Sequence, residues 1–170
     1  MTHSEEKTPI SNRTVSDSVV LSLRKIIQVI DMNSKKLVKR VGLTGPQLVI
    51  LQEISRVEEV TAGEIARAVS LSQATVTGIL NRLEKRGLVV RQRSSRDKRR
   101  VLVKRTAKAV QLLETSPPLL QERFAARFGA LQDWEQTLLL SSLQRIAAMM
   151  DAADLDAAPM LVSGPVAAPA

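Results

Sequence analysis

The sequence predicts a mainly α fold with one small β-hairpin, on three observations. Apolar residues recur at helical spacing through the middle of the chain. Capping signatures stand ahead of these stretches. Two short β-type runs, Leu88 to Arg93 and Arg100 to Arg105, bracket one polar loop.

The elements follow in order. Residues 1–13 carry no periodicity and read as a disordered tail. Thr14 and Asp17 resemble a capping box. After them Val19, Leu23, Ile26, Ile30, Leu37 and Val41 repeat at helical spacing, with Val20 and Ile27 alongside. Gly42 ends this long helix. Thr44, Pro46 and Gln47 open a second helix, since proline is tolerated in a first turn and Gln47 completes a box. Its apolar face is Leu48, Leu51 and Ile54, with Ile50 beside it. Thr61 and Glu64 start a short third helix that runs to about Val69.

Ser70 to Ser72 form a turn, and Ser72 caps a fourth helix. Val76, Ile79, Leu80 and Leu83 give that helix one buried stripe, and Gly87 ends it. Two short helices joined by about three residues form a helix-turn-helix signal. The runs Leu88 to Arg93 and Arg100 to Arg105 then form a hairpin around the loop Ser94 to Arg99. A hairpin directly behind a helix-turn-helix is a wing. Thr106 caps a fifth helix, which Pro117 and Pro118 interrupt. Leu120, Phe124, Phe128 and Leu131 resume the stripe. Asp133 to Gln136 is a further capping pattern, ahead of Leu139, Leu143, Ile146 and Met150. From Asp151 the chain turns to Ala, Pro and Asp without a period.

The expected architecture is a winged helix-turn-helix plus a helical dimerisation region. Residues 14–43 are the first dimerisation helix and 44–105 the winged-helix lobe. Residues 106–152 are further dimerisation helices, and 153–170 are a second disordered tail. The stripes at both ends exceed what a lobe of about 60 residues can cover, which predicts a homodimer.

Composition excludes several functions. There is no cysteine, so disulfides, thiolate metal sites and a thiol switch are ruled out. The one histidine, His3, lies in the N-terminal tail, and no nucleophile–base pair or metal set is visible. Neither an enzyme nor a cofactor or metal is expected. With Trp134, Phe124 and Phe128 as the only aromatics, base stacking is not the expected mode of binding. No run of 18 apolar residues and no signal-peptide core occur, so a cytoplasmic protein without membrane contact is expected.

Charge points to a partner. The chain carries a net +8. Between Arg82 and Arg105 lie eleven basic residues against Glu84 and Asp97, a local +9. Such a block inside a patterned region suits double-stranded DNA. Opposite the buried stripe, the fourth helix presents Ala74, Gly78, Asn81 and Lys85, flanked by Thr75, Thr77 and Arg82. Ser72 stands at its start. Small residues admit the backbone close to DNA. Gln73 and Asn81 offer amides that pair with adenine, and Thr75 and Thr77 reach phosphate, base edges or a thymine methyl. Arg82 and Lys85 suit phosphates. In the loop, Arg96, Lys98 and Arg99 surround Asp97. A wing-tip guanidinium fits a narrow minor groove. Asp97 is expected to orient a nearby arginine or the loop amides.

The segments Leu71 to Thr77, Asn81 to Val89, Asp97 to Arg100 and Thr106 resemble the MarR family of winged-helix regulators. The resemblance covers roughly residues 16 to 150. It implies a homodimer with interleaved terminal helices and a recognition helix at 72–86. Asp97 and Arg99 match the family's wing Asp-x-Arg. Arg105 and Ala109 depart from the family pattern, which has an apolar residue and a frequent glycine there. The family often takes small aromatic or anionic effectors between the dimer helices and the DNA-binding lobe. A small-molecule effector is thus an implied partner, although no residue stands out as its anchor.

The expected function is sequence-specific double-stranded DNA binding by a transcriptional regulator, a repressor released by an effector. As a dimer it would bind a palindromic operator with half-sites about 10–10.5 bp apart. The alternatives are a sequence-nonspecific architectural DNA binder and a winged-helix protein-interaction adaptor.

Overall fold

The computed structural model describes residues 14–57, 59–155, 157 and 160–163. The expected N-terminal tail, 1–13, lies outside them. Among the described residues, seven helices and one hairpin follow in order.

Helix α1 (Val15–Val41) starts at a capping box, with the Asp17 N–H donating to Thr14 Oγ1 at 3.1 Å. It stops at Gly42, whose φ of 68° is the left-handed conformation that closes a helix. Helix α2 (Gly45–Arg56) begins with the Thr44 N–H donating to Gln47 Oε1 at 3.0 Å. Helix α3 (Ala62–Ala68) is boxed by Thr61 and Glu64. Helix α4 (Gln73–Lys85) is capped by Ser72. Such a cap stabilises its helix by about 1 kcal/mol.

Strands β1 (Val89–Arg93) and β2 (Val101–Arg105) pair antiparallel, with Val89 opposite Arg105 and Arg93 opposite Val101. Each begins one residue later than the sequence pattern indicates. A further bridge joins Val60 to Val103, whose N–H donates to the Val60 carbonyl at 2.8 Å. The sequence gives no strand at Val60, because a single bridging residue has no period.

Helix α5 (Ala107–Glu114) is capped by Thr106. The prolines separate it from α6 (Leu120–Phe128), and α7 (Asp133–Met149) follows. The cap of α7 is Gln132, one residue before the expected Asp133. The Gln132 N–H donates to Glu135 Oε2 at 2.9 Å, while Gln136 turns back to the Leu131 carbonyl. Gln136 therefore cannot serve as the box partner of Asp133. Leu131 falls between α6 and α7 rather than on a helix.

The core lies where α2, α3, α4, the hairpin and α5 meet. Leu48, Leu51, Ile65, Leu80, Leu83 and Leu88 are wholly shielded there. Truncating one such leucine costs about 2–5 kcal/mol. The peripheral helices behave differently. Leu37 is the buried residue of α1, and α6 and α7 bury none. Ile26, Ile27, Leu139 and Leu143 stand open to solvent on the single chain. No helix among the described residues is long and apolar enough to cross a membrane.

The segment expected as a C-terminal tail is placed in part. Met160 packs at the edge of the core, and the Ser163 N–H bonds to Ser34 Oγ on α1. Nothing in the local pattern predicts this, because Ser163 meets a residue 129 positions away.

Candidate nucleic-acid interface

Helix α4 is positioned by its stripe. Val76, Ile79, Leu80 and Leu83 are buried, which turns Gln73, Ala74, Thr77, Asn81 and Lys85 to solvent. Gly78 has open space above it, as a close approach of another backbone requires. Arg82 and Thr75 are half-buried at the edges of this face.

The polar groups on α4 are less free than their residue types indicate. Ser72 Oγ accepts the Thr75 N–H at 3.1 Å and lies 2.8 Å from Thr75 Oγ1. Thr77 Oγ1 donates to the Gln73 carbonyl at 2.8 Å. These hydroxyls are engaged within the helix, which leaves the Thr77 methyl as an outward contact. Asn81 Oδ1 accepts from the Arg91 guanidinium on β1 at 2.7 Å, and Arg91 also reaches Glu84 at 3.1 Å. Gln73 keeps both ends of its amide unengaged among the described residues.

The wing is ordered by two short side chains. Buried Ser94 Oγ accepts the N–H groups of Arg96 and Asp97 at 3.2 and 3.3 Å. Asp97 Oδ1 accepts the Arg99 N–H at 3.0 Å, and the Asp97 carbonyl accepts the Arg100 N–H at 2.9 Å. Asp97 therefore orients loop amides, not a guanidinium. The acid fixes the backbone at the tip, and the cationic heads of Arg96, Lys98 and Arg99 point outward.

The cationic block divides into two groups. Five of its members are engaged inside the protein. The Arg86 guanidinium donates to the Gly42 carbonyl, and Arg91 is held as above. Arg100 pairs with Glu64 at 2.7 Å and Lys104 with Glu59 at 2.9 Å. Arg105 donates to the Ser55 carbonyl at 3.0 Å. The other six, Arg82, Lys85, Arg93, Arg96, Lys98 and Arg99, make no side-chain hydrogen bond or close ion pair among the described residues, although the Arg96 charge is felt by Glu59. They lie on α4, β1 and the wing.

The acids that receive the first group were not visible as site residues. Glu64 serves twice. The Thr61 backbone amide and then the Thr61 hydroxyl hold its carboxyl below the ordinary range, with Arg100 adding to the effect. The Lys104 ammonium does the same to Glu59. Both acids buttress the hairpin from the α2–α3 side. Their proximity could be inferred only after the Val60 bridge is known. No cluster of metal-ligating side chains occurs among the described residues.

A family model described as the MarR family matches residues 41–100. The chain is 28% identical over 135 residues to the HTH-type transcriptional regulator FarR of Neisseria gonorrhoeae, covering 79% of this chain and 92% of that protein. It is 30% identical over 107 residues to the transcriptional regulator HosA of Escherichia coli, covering 61% of this chain and 77% of that one. Among solved structures it resembles Bordetella bronchiseptica BpsR, described for the regulation of its DNA binding by 6-hydroxynicotinic acid. That likeness has 25% identity and a TM-score of 0.55, over 86% of this chain and all of the other.

Proposed function

The chain belongs to the MarR family, and from that premise we propose that it is a sequence-specific double-stranded DNA-binding regulator acting as a homodimer. The observation that carries the reading is the division of the cationic block. The six unpartnered cations line α4 and the wing, beside an exposed face of small and amide side chains. Unpaired cations gain most from phosphate, because each contact releases condensed counterions.

The roles follow from position. Gln73 and Asn81 on α4 read base edges in the major groove, with Ala74 and Gly78 admitting the backbone. Arg82 and Lys85 bind phosphates. Arg99 at the wing tip enters the adjacent minor groove, supported by Arg96 and Lys98. Open apolar faces on α1 and α7 need a partner surface, and a second copy supplies the two-fold symmetry of a palindromic operator.

We assign the repressor sense with release by a small molecule. The likeness to BpsR supports control by a small molecule, as does a cleft of about 370 Å³ between α1 and the segment Pro117 to Leu120. An aromatic acid could take the cationic ends of Lys36, Arg40 and Arg123 at its rim.

The test compares binding to DNA flanking the protein's own gene with binding to random DNA at fixed salt. A sequence-specific regulator prefers the flanking DNA by about 10³-fold or more. Equal binding to both indicates an architectural protein, and no binding to either leaves an adaptor role.

A further inference from the structure

A segment from late in the chain seats against the junction of α1 and α2. Val162 and Ser163 form one wall of an open hollow of about 410 Å³, which Ser34, Val38, Thr44 and Pro46 also line. The Ser163 N–H donates to Ser34 Oγ at 3.0 Å, and its hydroxyl to Asp31 Oδ1 at 3.2 Å. A Val162 methyl stands where a Cβ at position 45 would go, so glycine at 45 is what admits it. The backbone of Gly45 is not left-handed, so its missing side chain serves the approach and not the turn. Met160 rests on the core two residues earlier.

These contacts lie on both sides of one connection. Ser34 and Asp31 belong to α1, which the dimer reading assigns to the two-fold interface. Gly45 and Pro46 open α2, the first helix of the DNA-binding lobe. Between them run only Gly42, Leu43 and Thr44, with Gly42 left-handed. A three-residue connection lets a lobe pivot unless something spans it. Arg86 pins the connection itself through the Gly42 carbonyl, and Ser163 with Val162 spans it from α1 to Gly45.

We infer that Met160 to Ser163 is a strap that restrains this pivot and so sets how strictly the dimer demands one half-site spacing. The inference rests on the proposed dimeric DNA-binding function. Each added base pair moves a half-site by about 3.4 Å along the helix axis and rotates it as well. A lobe held by the strap cannot follow. A lobe released from it can, at the loss of a few side-chain contacts on the strap.

The test uses the full chain and an operator selected in vitro. Hydrogen exchange at the Ser163 amide is measured in the wild type, Gly45→Ala and Val162→Asp. Binding is then measured on operators with one base pair inserted between or removed from the half-sites. Alanine favours a helix over glycine, so Gly45→Ala keeps α2 folded. Val162→Asp alters only the strap. Both variants are expected to exchange Ser163 at least about tenfold faster than the wild type. Both are also expected to lose at least about threefold less affinity than the wild type on the altered spacings. Fast exchange in the wild type would overturn the strap. Faster exchange in the variants with unchanged spacing dependence would overturn its role. A wild type with no sequence preference would overturn the DNA reading and the spacing role together, and the exchange measurement would still decide whether the strap is seated.

Discussion

The Arg91 guanidinium on β1 donates to Asn81 Oδ1 on α4 across 2.7 Å. A guanidinium has only donors, so the amide oxygen is the atom that faces it. Asn81 keeps its Nδ2 hydrogens and one of the two Oδ1 lone pairs for a base. The sequence reading gives Asn81 a bidentate pairing with adenine, which needs both ends of the amide. On the proposed reading the oxygen is shared with Arg91, so Asn81 is expected to favour acceptors, and adenine N7, guanine N7 or O6 and thymine O4 are open to it. Removing Arg91 should restore the oxygen. Arg91→Ala is expected to sharpen the preference for adenine at one operator position by about 1–3 kcal/mol. Competition binding with each base at that position checks this. A uniform loss across all four bases would show that Arg91 contacts phosphate instead.

Arg99→Ala should weaken binding at every site and relax any preference for A·T-rich flanks. The slope of log affinity against log salt should fall by about one per half-site. Titrations at several salt concentrations measure it.

Asp97→Ala separates two effects. Removing an acid from a cationic wing favours DNA by simple Coulomb attraction. Asp97 Oδ1 also holds the Arg99 N–H at 3.0 Å. Losing that bond frees the tip, and ordering it again on DNA costs roughly 1–2 kcal/mol for each residue fixed. The second effect is the larger, because screening weakens the first at physiological salt. Asp97→Ala is therefore expected to bind more weakly. Tighter binding would reduce Asp97 to a surface charge.

The homodimer is checked by sedimentation at micromolar concentration. A species of twice the 18.6 kDa chain mass is expected. Leu139→Asp on α7 and Ile26→Asp on α1 should each shift the distribution towards monomer, since each places a charge in an apolar interface. A monomer in the wild type would contradict the reading of both open faces.

Glu64 links α3 to the wing, and its titration has a definite sign. Its carboxyl lies below the ordinary 4.5 in the folded chain, chiefly through the Thr61 amide. The stability it contributes is present above 4.5 and is lost as pH falls through the lowered folded value. Glu64→Gln should lower stability near neutral pH by about 1 kcal/mol or less, the range of an exposed pair. The gap between the two proteins should narrow as pH falls from 4.5 through the lowered folded value. Urea melts at pH 7 and pH 3 test this, and an equal gap at both would sink it.

Most helix starts were legible because caps are local, the cap of α7 at Gln132 being an exception. Thr14, Thr61, Ser72 and Thr106 each declare a start within three or four residues. The hairpin was legible for the same reason. The fate of each cation was not. Arg82 and Arg86 look alike in sequence, yet Arg86 turns to Gly42 and Arg82 stays unpartnered among the described residues. Arg105 departs from the family pattern, and the structure gives it a partner fifty residues earlier, the Ser55 carbonyl. Such pairings depend on tertiary neighbours that no local window contains. The engagement of Thr75 and Thr77 could have been read, since bonds between residues three or four apart are common in helices.

Helix α4 is held from its ends and from beneath. Ser72 closes its start, and Arg86 fastens its finish to Gly42, with Lys108 clasping the Arg86 carbonyl at 2.9 Å. None of these attachments uses positions 73, 74 or 77. On the proposed reading those positions form a cassette: the residues of a relative grafted there are expected to inherit the orientation of the host. Asn81 is the exception, because it is wired to Arg91 on β1. A graft that changes position 81 must bring its own residue at 91, or it will transplant the letters of another operator code without the setting that gives one of them its meaning.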